Sequence, residues 1–514
     1  MSGFPSVAVV GGGASGTLAA VHLLREARVR DIPLEVVLID QYGRHALGQA
    51  YSTTDPHHLL NARAGKMSGL DDDPGHFLRW ALDDGPDVSV SDYLPRRTYG
   101  RYLRDLLADA EEWPLRVVRR VTGTVTALTR GQGVRVHLSG GGRIDAEAAV
   151  LALGNRSPSA RPPVVDAASP GYVADPWVPD ALAGIRDGAP VLVLGTGLTM
   201  VDVAVTVTRA HPGTVVYAVS RHALLPRPHP RPVPPPVPTP VPDGPLGVGD
   251  LLRAVRLAVR DNGGDWHGVV DGLRPRVQEL WARLTPDDRR RFLGLAARYW
   301  EVHRHRIPPV TAARIAGLRA TGRLHVLRGR LLRAGPGPAG LRVQVDTGTG
   351  TGTVNGDGNG DVDTGRAHGA DAAVRELDVG WLVNATGPGA DVTRDPLLAR
   401  LVADGVVRPD RLRLGLDAAP GGAVLDASGA PDDRIFTLGP MLRGSLYETT
   451  AIPEIRAQAA ALAPRLVETV VSAARRDAGA VRFPGPQVPG ARGGPAARPG
   501  PDAEASAGRR SSPR

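Results

Sequence analysis

Hydrophobic and polar positions along the chain follow two periodicities in alternation. Residues 7–20, VAVVGGGASGTLAA, give an apolar run, a glycine turn and the opening of a helical pattern, and residues 191–204, VLVLGTGLTMVDVA, repeat that order. A short apolar run bounded by turn residues predicts a buried strand. LEVVLID, ending at Asp40, supplies the next strand, so the N-terminal segment predicts a βαβ unit. Helical spacing follows in HFLRWALDD and YGRYLRDLLADAEEW, and β-rich LRVVRRVTGTVTAL, VRVHL and AAVLALGN run out to Asn155 as an inserted β-meander.

A second βαβ unit opens at Val191 and continues through TVVYAVSRH to His222. Residues 226–242, PRPHPRPVPPPVPTPVP, are too rich in proline for helix or sheet and predict an extended surface segment. Helical patterns containing Trp266, Trp281 and Trp300 come next, then the strands RLHVLRG and LRVQV. GWLVNATG and RIFTLGP predict two further strands, followed by a long amphipathic helix. The expected fold class is α/β, with two Rossmann-like dinucleotide-binding domains. The first covers residues 1–165 and 375–475, and the second, residues 185–345, is inserted into it with a helical insertion at 246–320. Residues 346–372, rich in Gly, Asp and Thr, predict a flexible loop, and residues 482–514 a disordered tail.

Composition narrows the chemistry. The 514 residues include no cysteine, which excludes a disulfide framework, a redox-active CxxC pair, a cysteine nucleophile and a thiolate-held metal. The formal charge of +9 comes from arginines interleaved with acids, without a basic stripe or stacking aromatics, so nucleic acid is not an expected partner. No apolar run reaches the roughly 20 residues of a membrane span, and the expectation is a cytoplasmic protein without a membrane partner. His57 and His58 are adjacent and His76 lies apart, a spacing that predicts no metal site, and the acids of the Gly/Asp loop fit no calcium register.

In GGGASG the pattern G-x-G-x-x-G falls on Gly11, Gly13 and Gly16 between strand and helix. The first glycine permits the tight turn, the second lets a pyrophosphate approach the backbone, and the third lets helix pack on strand. With Ala14 and Ser15 in the helical turn and Asp40 and Gln41 at the end of the second strand, this is a dinucleotide seat in which the carboxylate takes a ribose hydroxyl. Gly195, Thr196, Gly197, Leu198 and Thr199 repeat the turn, with Met200 at the third glycine position. Where the first unit has Asp40, the second has Ser220, Arg221 and His222. A carboxylate repels a 2′-phosphate and an Arg with a hydroxyl binds it, so the first seat is expected to take FAD and the second NADPH rather than NADH. ALGN (152–155), with Gly154, and NATG (384–387), with Thr386 and Gly387, close the strands that follow each unit.

Together with AYSTTDPHHLLNARAGKMSGLDDDPGHFLRW (50–80), PRRTYGRYLRDLL (95–107), SRHALLPRPH (220–229) and LGPMLRGSLYETTAIPEIR (438–456), these motifs resemble the bacterial FAD/NAD(P)-binding flavoproteins related to N-hydroxylating and other class B flavin monooxygenases. The resemblance covers most of residues 5–470. It implies that the segment with Leu60 and Asn61 runs along the isoalloxazine ring. It also implies that the segment with Glu448, Thr449 and Thr450 caps a helix whose N-terminus faces the pyrimidine edge. Gly439 is followed by Pro440 where relatives often carry a Gly-Asp pair, which leaves ribityl contacts to backbone groups. Lys66, the single lysine, and Asn61 are the candidate catalytic residues by the same resemblance.

The implied activity is monooxygenation of a small nucleophile, an amine or amino acid before others, through a flavin C4a-hydroperoxide, with the substrate and O2 as partners. Two other readings stay open: a flavin-dependent NAD(P)H reductase without oxygen transfer, and a non-catalytic nucleotide-binding or redox-sensing protein. The lack of cysteine removes only the disulfide-reductase form of the former.

Overall fold

The computed structural model describes residues 4–155 except 86, residues 162, 164–166, 169–348, 374–389 and 391–480. Most of the Gly/Asp loop expected at 346–372 and the tail expected at 482–514 lie outside the described residues.

Two sheets organise the chain, both parallel except for an antiparallel pair of strands at one edge of the first. The first runs β16 (Ala423–Leu425), β17 (Pro431–Thr437), β7 (Ala148–Leu151), β1 (Ser6–Val10), β2 (Leu34–Asp40), β3 (Arg116–Thr122). The second runs β11 (Leu324–Arg328), β10 (Val216–Ser220), β9 (Val191–Leu194), β15 (Trp381–Asn384), β8 (Tyr172–Val173). Their central strands β1, β7 and β9 are buried at every position, as strands covered on both faces must be, whereas edge strand β3 is buried only at Arg116 and half-buried or exposed beyond it. Each unit carries a three-stranded antiparallel meander at the same point of its path. In the first it is β4 (Val125–Arg130), β5 (Val134–Leu138) and β6 (Arg143–Ala146). In the second it is β12 (Arg330–Gly337), β13 (Gly340–Asp346) and β14 (Val374–Val379).

The return to the first unit, expected at residue 375, comes later, because β14 pairs with β13 and β15 pairs with β9. β15 must lie there because it leads directly into Ala385, which closes against the second glycine turn. At the other boundary β8 joins the second sheet ahead of residue 185, through Leu382↔Tyr172 and Val383↔Val173.

Helix α1 (Ala14–Val29) packs under the first sheet between the helices α3 (Arg96–Glu111) and α12 (Ile452–Ala480). α3 buries Tyr99, Tyr102, Leu103, Leu106, Leu107 and Ala110, a stripe at helical spacing, and exposes Arg101, Arg104, Asp105 and Asp109. Phe77 of α2 (His76–Asp84) meets Tyr99 and Tyr102 with ring centroids 5.1 and 4.9 Å apart. The second unit has α4 (Leu198–Ala210) after β9, and α10 (Pro309–Ala320) before β11. Between them lie the inserted helices α5 (Val248–Asp261), α6 (Trp266–Leu273), α7 (Val277–Arg283), α8 (Pro286–Leu295) and α9 (Ala297–Arg304), while α11 (Pro396–Ala403) packs on β4.

The proline segment forms neither helix nor strand, and it is seated across α6. The Val237 N–H donates to the Gly268 carbonyl at 2.8 Å, and a Cβ at Gly272 would stand 2.0 Å from the Val237 carbonyl oxygen.

A polar seam joins the two units along α4. Arg96 of α3 pairs with Asp202 at 2.7 Å, their side chains 16% and 9% exposed, and lies over the Trp177 ring. The Thr206 hydroxyl donates to Asp55 at 2.8 Å, so it accepts from His58 Nε2, also at 2.8 Å, leaving His58 Nδ1 to accept from Thr53. Removing one member of a buried ion pair strands the other's charge. Arg96→Met is therefore expected to cost about 3–5 kcal/mol in urea denaturation, and Arg96→Met with Asp202→Leu to recover most of that loss.

Candidate functional site

The two glycine turns have the same backbone. Gly11 and Gly195 have φ of +113° and +112°, and a Cβ on either would lie 2.3 Å from a carbonyl oxygen of the neighbouring strand's end, that of Ala152 or Ala385. Each donates its N–H across the sheet, Gly11 to Ile39 at 2.9 Å and Gly195 to Val219 at 2.8 Å. Gly13 and Gly197 cap α1 and α4 with φ, ψ of −77°, −167° and −83°, −162°, and neither cap brings a side-chain acceptor to the first helical N–H groups. Two helix N-termini thus present backbone donors and the positive end of the helix dipole, the setting that suits a phosphate.

The third positions differ. A Cβ at Gly16 would stand 1.9 Å from the Gly11 carbonyl oxygen, so α1 sits against its own turn. Met200 is fully buried in the core formed by β9, β15 and α4, so the third position of the second turn carries an apolar side chain.

Asp40 ends β2 beside the first turn. Its Oδ1 accepts from the Tyr42 and Arg44 N–H groups, both at 2.9 Å, and a Cβ at Gly12 would lie 3.1 Å from Oδ2, so Oδ2 is the oxygen on the turn side. Gln41 is exposed on the loop that Oδ1 braces, and Gly154, with φ +64°, follows Ala152.

Residues 8–156 match the FAD-NAD(P)-binding family. The match spans the N-terminal unit from β1 through β7. The whole fold resembles ornithine hydroxylase from Pseudomonas aeruginosa in its reduced form, at 14% identity over 91% of this chain and 100% of that one, with a TM-score of 0.59. It also resembles L-lysine 6-monooxygenase from Pseudomonas syringae, at 16% identity over 90% of this chain and 99% of that one, with a TM-score of 0.59. The ornithine N-hydroxylase of Kutzneria sp. 744, in a structure with reduced FAD, NADP+ and L-ornithine, matches at 14% identity over 92% and 99% of the two chains, with a TM-score of 0.58. At these identities the likeness is one of fold. No protein of curated function matches the chain in sequence.

Around the first glycine turn, the remaining predicted residues divide. Gly439, with φ +69°, reaches the first turn: a Cβ on it would lie 2.8 Å from the Ser15 hydroxyl. Its carbonyl accepts from the Thr449 hydroxyl at 3.0 Å and its N–H donates to Gln458 Oε1 at 2.7 Å, while Gln458 Nε2 donates back to Thr449. Gln458 of α12 is the clamp that sequence reasoning missed.

Thr450 lies just ahead of α12, but Glu448 is not a cap. It precedes the helix by four positions and its carboxylate turns to α9, accepting from Trp300 Nε1 at 2.8 Å and pairing with Arg304 at 3.3 Å.

Leu60 is buried and Asn61 exposed. The Asn61 backbone carbonyl, not its side chain, accepts from His229 Nε2 at 2.9 Å, and the His229 ring meets that of Tyr93 in a tilted arrangement with centroids 4.9 Å apart. Lys66 is exposed on a one-turn helix, and its side chain makes no hydrogen bond or ion pair among the described residues.

In the second unit Thr196 donates to the Leu224 carbonyl at 2.6 Å, so Ser220 Oγ, 2.9 Å away, must be the donor between the two hydroxyls. Ser220 also accepts from the Ala223 N–H at 3.0 Å. Its only proton is engaged, and Ser220 braces the loop rather than offering a donor to phosphate.

Arg221 is exposed, and the charge around it is one-sided. Burial and then the positive charges of Arg298, Arg221, Arg328 and Arg330 hold the His222 imidazole below its ordinary pKa. Arg221, Arg328 and Arg330 make no ion pair among the described residues. Arg328 stands beside Ser220 in the parallel register, so pairing of two strand ends could have revealed it; Arg298 comes from the insertion and left no local signal. Leu198 and Thr199 form the first turn of α4, and the Thr386 N–H and hydroxyl both donate to Asn384 Oδ1, with Gly387 following at φ +81°.

Two measurements check this geometry. Gly16→Ala is expected to destabilise by about 2 kcal/mol or more in urea denaturation because its methyl meets backbone, and Gly197→Ala, with nothing within 4 Å, by less than about 0.5 kcal/mol. Burial lowers the His229 pKa to about 4 despite the Asn61 bond that favours its charged form. The unfolded state then binds the proton that the folded state refuses, so stability is expected to fall as pH drops from about 6.5 towards about 4, and His229→Gln to flatten that slope.

Proposed function

We propose that the protein is an FAD- and NADPH-dependent monooxygenase that hydroxylates a small amine or amino acid. The observation that carries this reading is the pair of matching glycine turns with opposite charge at their strand ends, Asp40 beside one and four arginines around the other. The cradles fit the two groups: at Gly11 and Gly195 the backbone leaves no room for a Cβ, and at both helix N-termini the first N–H groups lack side-chain acceptors.

On this reading residues 1–165 and the chain from 391 onward seat FAD, and residues 169–387 seat NADPH. The α1 N-terminus holds the FAD pyrophosphate, Asp40 Oδ2 takes a ribose hydroxyl, and Gly439, Thr449 and Gln458 fix the backbone at the flavin end. The α4 N-terminus holds the NADPH pyrophosphate, with Arg221, Arg298, Arg328 and Arg330 disposed for the 2′-phosphate. Bound FAD, once reduced by NADPH, supplies the chemistry that activates oxygen. What the chain contributes is orientation of two cofactors across the seam between its units and shelter of the reacting centre from water. The fold shared with ornithine and lysine hydroxylases supports an amine substrate. Among the described residues no helix is long and apolar enough to cross a membrane, which accords with cytoplasmic work on a small metabolite.

The test is anaerobic mixing of the purified yellow protein with each nicotinamide nucleotide, followed by admission of oxygen with candidate amines. NADPH is expected to bleach the flavin about 10–100-fold faster than NADH at limiting concentration, the effect of one or two charge-assisted hydrogen bonds. Arg221→Asp should reverse that order. Oxygen admitted with L-ornithine, L-lysine or a simpler amine should yield hydroxylated product; NADPH consumed without such product from any amine would instead identify a reductase.

A further inference from the structure

The segment between β17 and α12 is held by the helical insertion at every turn. Tyr447 has φ 60° and ψ −65°, and the Glu448 N–H donates to the Leu446 carbonyl at 2.8 Å, which makes a γ-turn on the positive-φ side. That conformation is rare and strained for a residue with a side chain, by about 1–3 kcal/mol, and persists only where surroundings impose it. The surroundings are the insertion: the Tyr447 ring stacks on Trp281 with centroids 4.6 Å apart and meets Phe292 edge-on at 5.3 Å. Trp281 Nε1 donates to the Gly444 carbonyl at 2.9 Å, Gln278 to the Glu448 carbonyl at 3.3 Å, and Arg274 pairs with Glu454 at 3.0 Å.

At the centre is Glu448, its side chain 7% exposed, with Trp300 on one oxygen and Arg304, 12% exposed, on the other. The next residue, Thr449, bonds Gly439, and Gly439 abuts Ser15 of the first glycine turn. A continuous line of contacts therefore runs from α9 to the seat of the first dinucleotide.

We propose that Glu448 is a positioning residue: its carboxylate, anchored by Trp300 and Arg304, fixes the turn that presents Thr449 and the α12 N-terminus to the cofactor, and the Glu448–Arg304 pair sets the charge felt there. This rests on the reading above that FAD occupies the first seat with its pyrimidine edge towards this segment. Reduction places negative charge on that edge, so nearby charge shifts the potential in a direction that follows its sign. Glu448→Gln keeps an acceptor for Trp300 but leaves Arg304 unbalanced, and Arg304→Met leaves the carboxylate unbalanced.

The experiment measures the midpoint potential and visible spectrum of the bound flavin in the full-length protein at mildly alkaline pH. Each variant is first checked for folding by its thermal melt. The expected result is a rise in potential for Glu448→Gln, a fall for Arg304→Met, and a value near wild type for Glu448→Asp. A purely structural role would displace Glu448→Gln and Arg304→Met in the same direction or not at all, and either result overturns the proposal. Should Arg304→Met fail to fold, the contrast between Glu448→Gln and Glu448→Asp decides alone, equal potentials overturning it. Wild-type protein purified without flavin and unable to take up added FAD would overturn the FAD reading itself, a failure distinct from flavin that binds but ignores these substitutions.

Discussion

The fold depends on one steric fact stated twice: a strand must turn into a helix where a neighbouring strand's end has already placed a carbonyl oxygen 2.3 Å from any Cβ. Only glycine accepts both that contact and a φ above +110°, and Gly11 and Gly195 are the residues that meet it. Once they are fixed, each cross-sheet N–H, each glycine helix cap and each set of free helical donors follows. The two helix N-termini with free donors are thus by-products of packing strand against strand, and what distinguishes them is placed outside the turn. Asp40 stands beside one and guanidinium groups beside the other, outside the glycine turns themselves.

Those local constraints are why so much of the site was legible in sequence. Glycine spacing, the apolar runs of β1, β7 and β9 and the stripe on α3 each depend on residues a few positions apart. What failed to show depends on partners far along the chain. β12 contains Gly335, Pro336 and Gly337, poor strand formers that hold their place because β13 pairs with them. β8 is two residues long and exists only as an edge on β15. Glu448 has the chemistry of a helix cap, and Trp300 and Arg304, almost 150 residues earlier, claim it instead. Ser220 has the chemistry of a phosphate donor, but Thr196 gives its own proton to Leu224 and so takes that of Ser220.

The proline segment and the helical insertion change meaning when seen together. A polyproline stretch alone suggests a surface for a partner protein; here its Val237 is bound across two glycines of α6, and the helices it braces grip the γ-turn at Tyr447. The insertion therefore belongs to the architecture around the first glycine turn although the chain reaches it from the second unit. The seam of Arg96, Asp202, His58 and Thr206 ties the same two units together on α4.

The late arrival of β17 also fixes a schedule. Thr437 bonds the Leu151 carbonyl across 286 residues of intervening chain, so the sheet that starts first is finished last. At about 5–20 residues per second of synthesis, β7 spends roughly 15–60 s outside the ribosome with an open edge while the entire second unit is made and can close. The N-terminal domain matures on a template that its own insertion has already completed, and an unpaired apolar strand in that interval is the point at which the nascent chain is open to aggregation or to a chaperone.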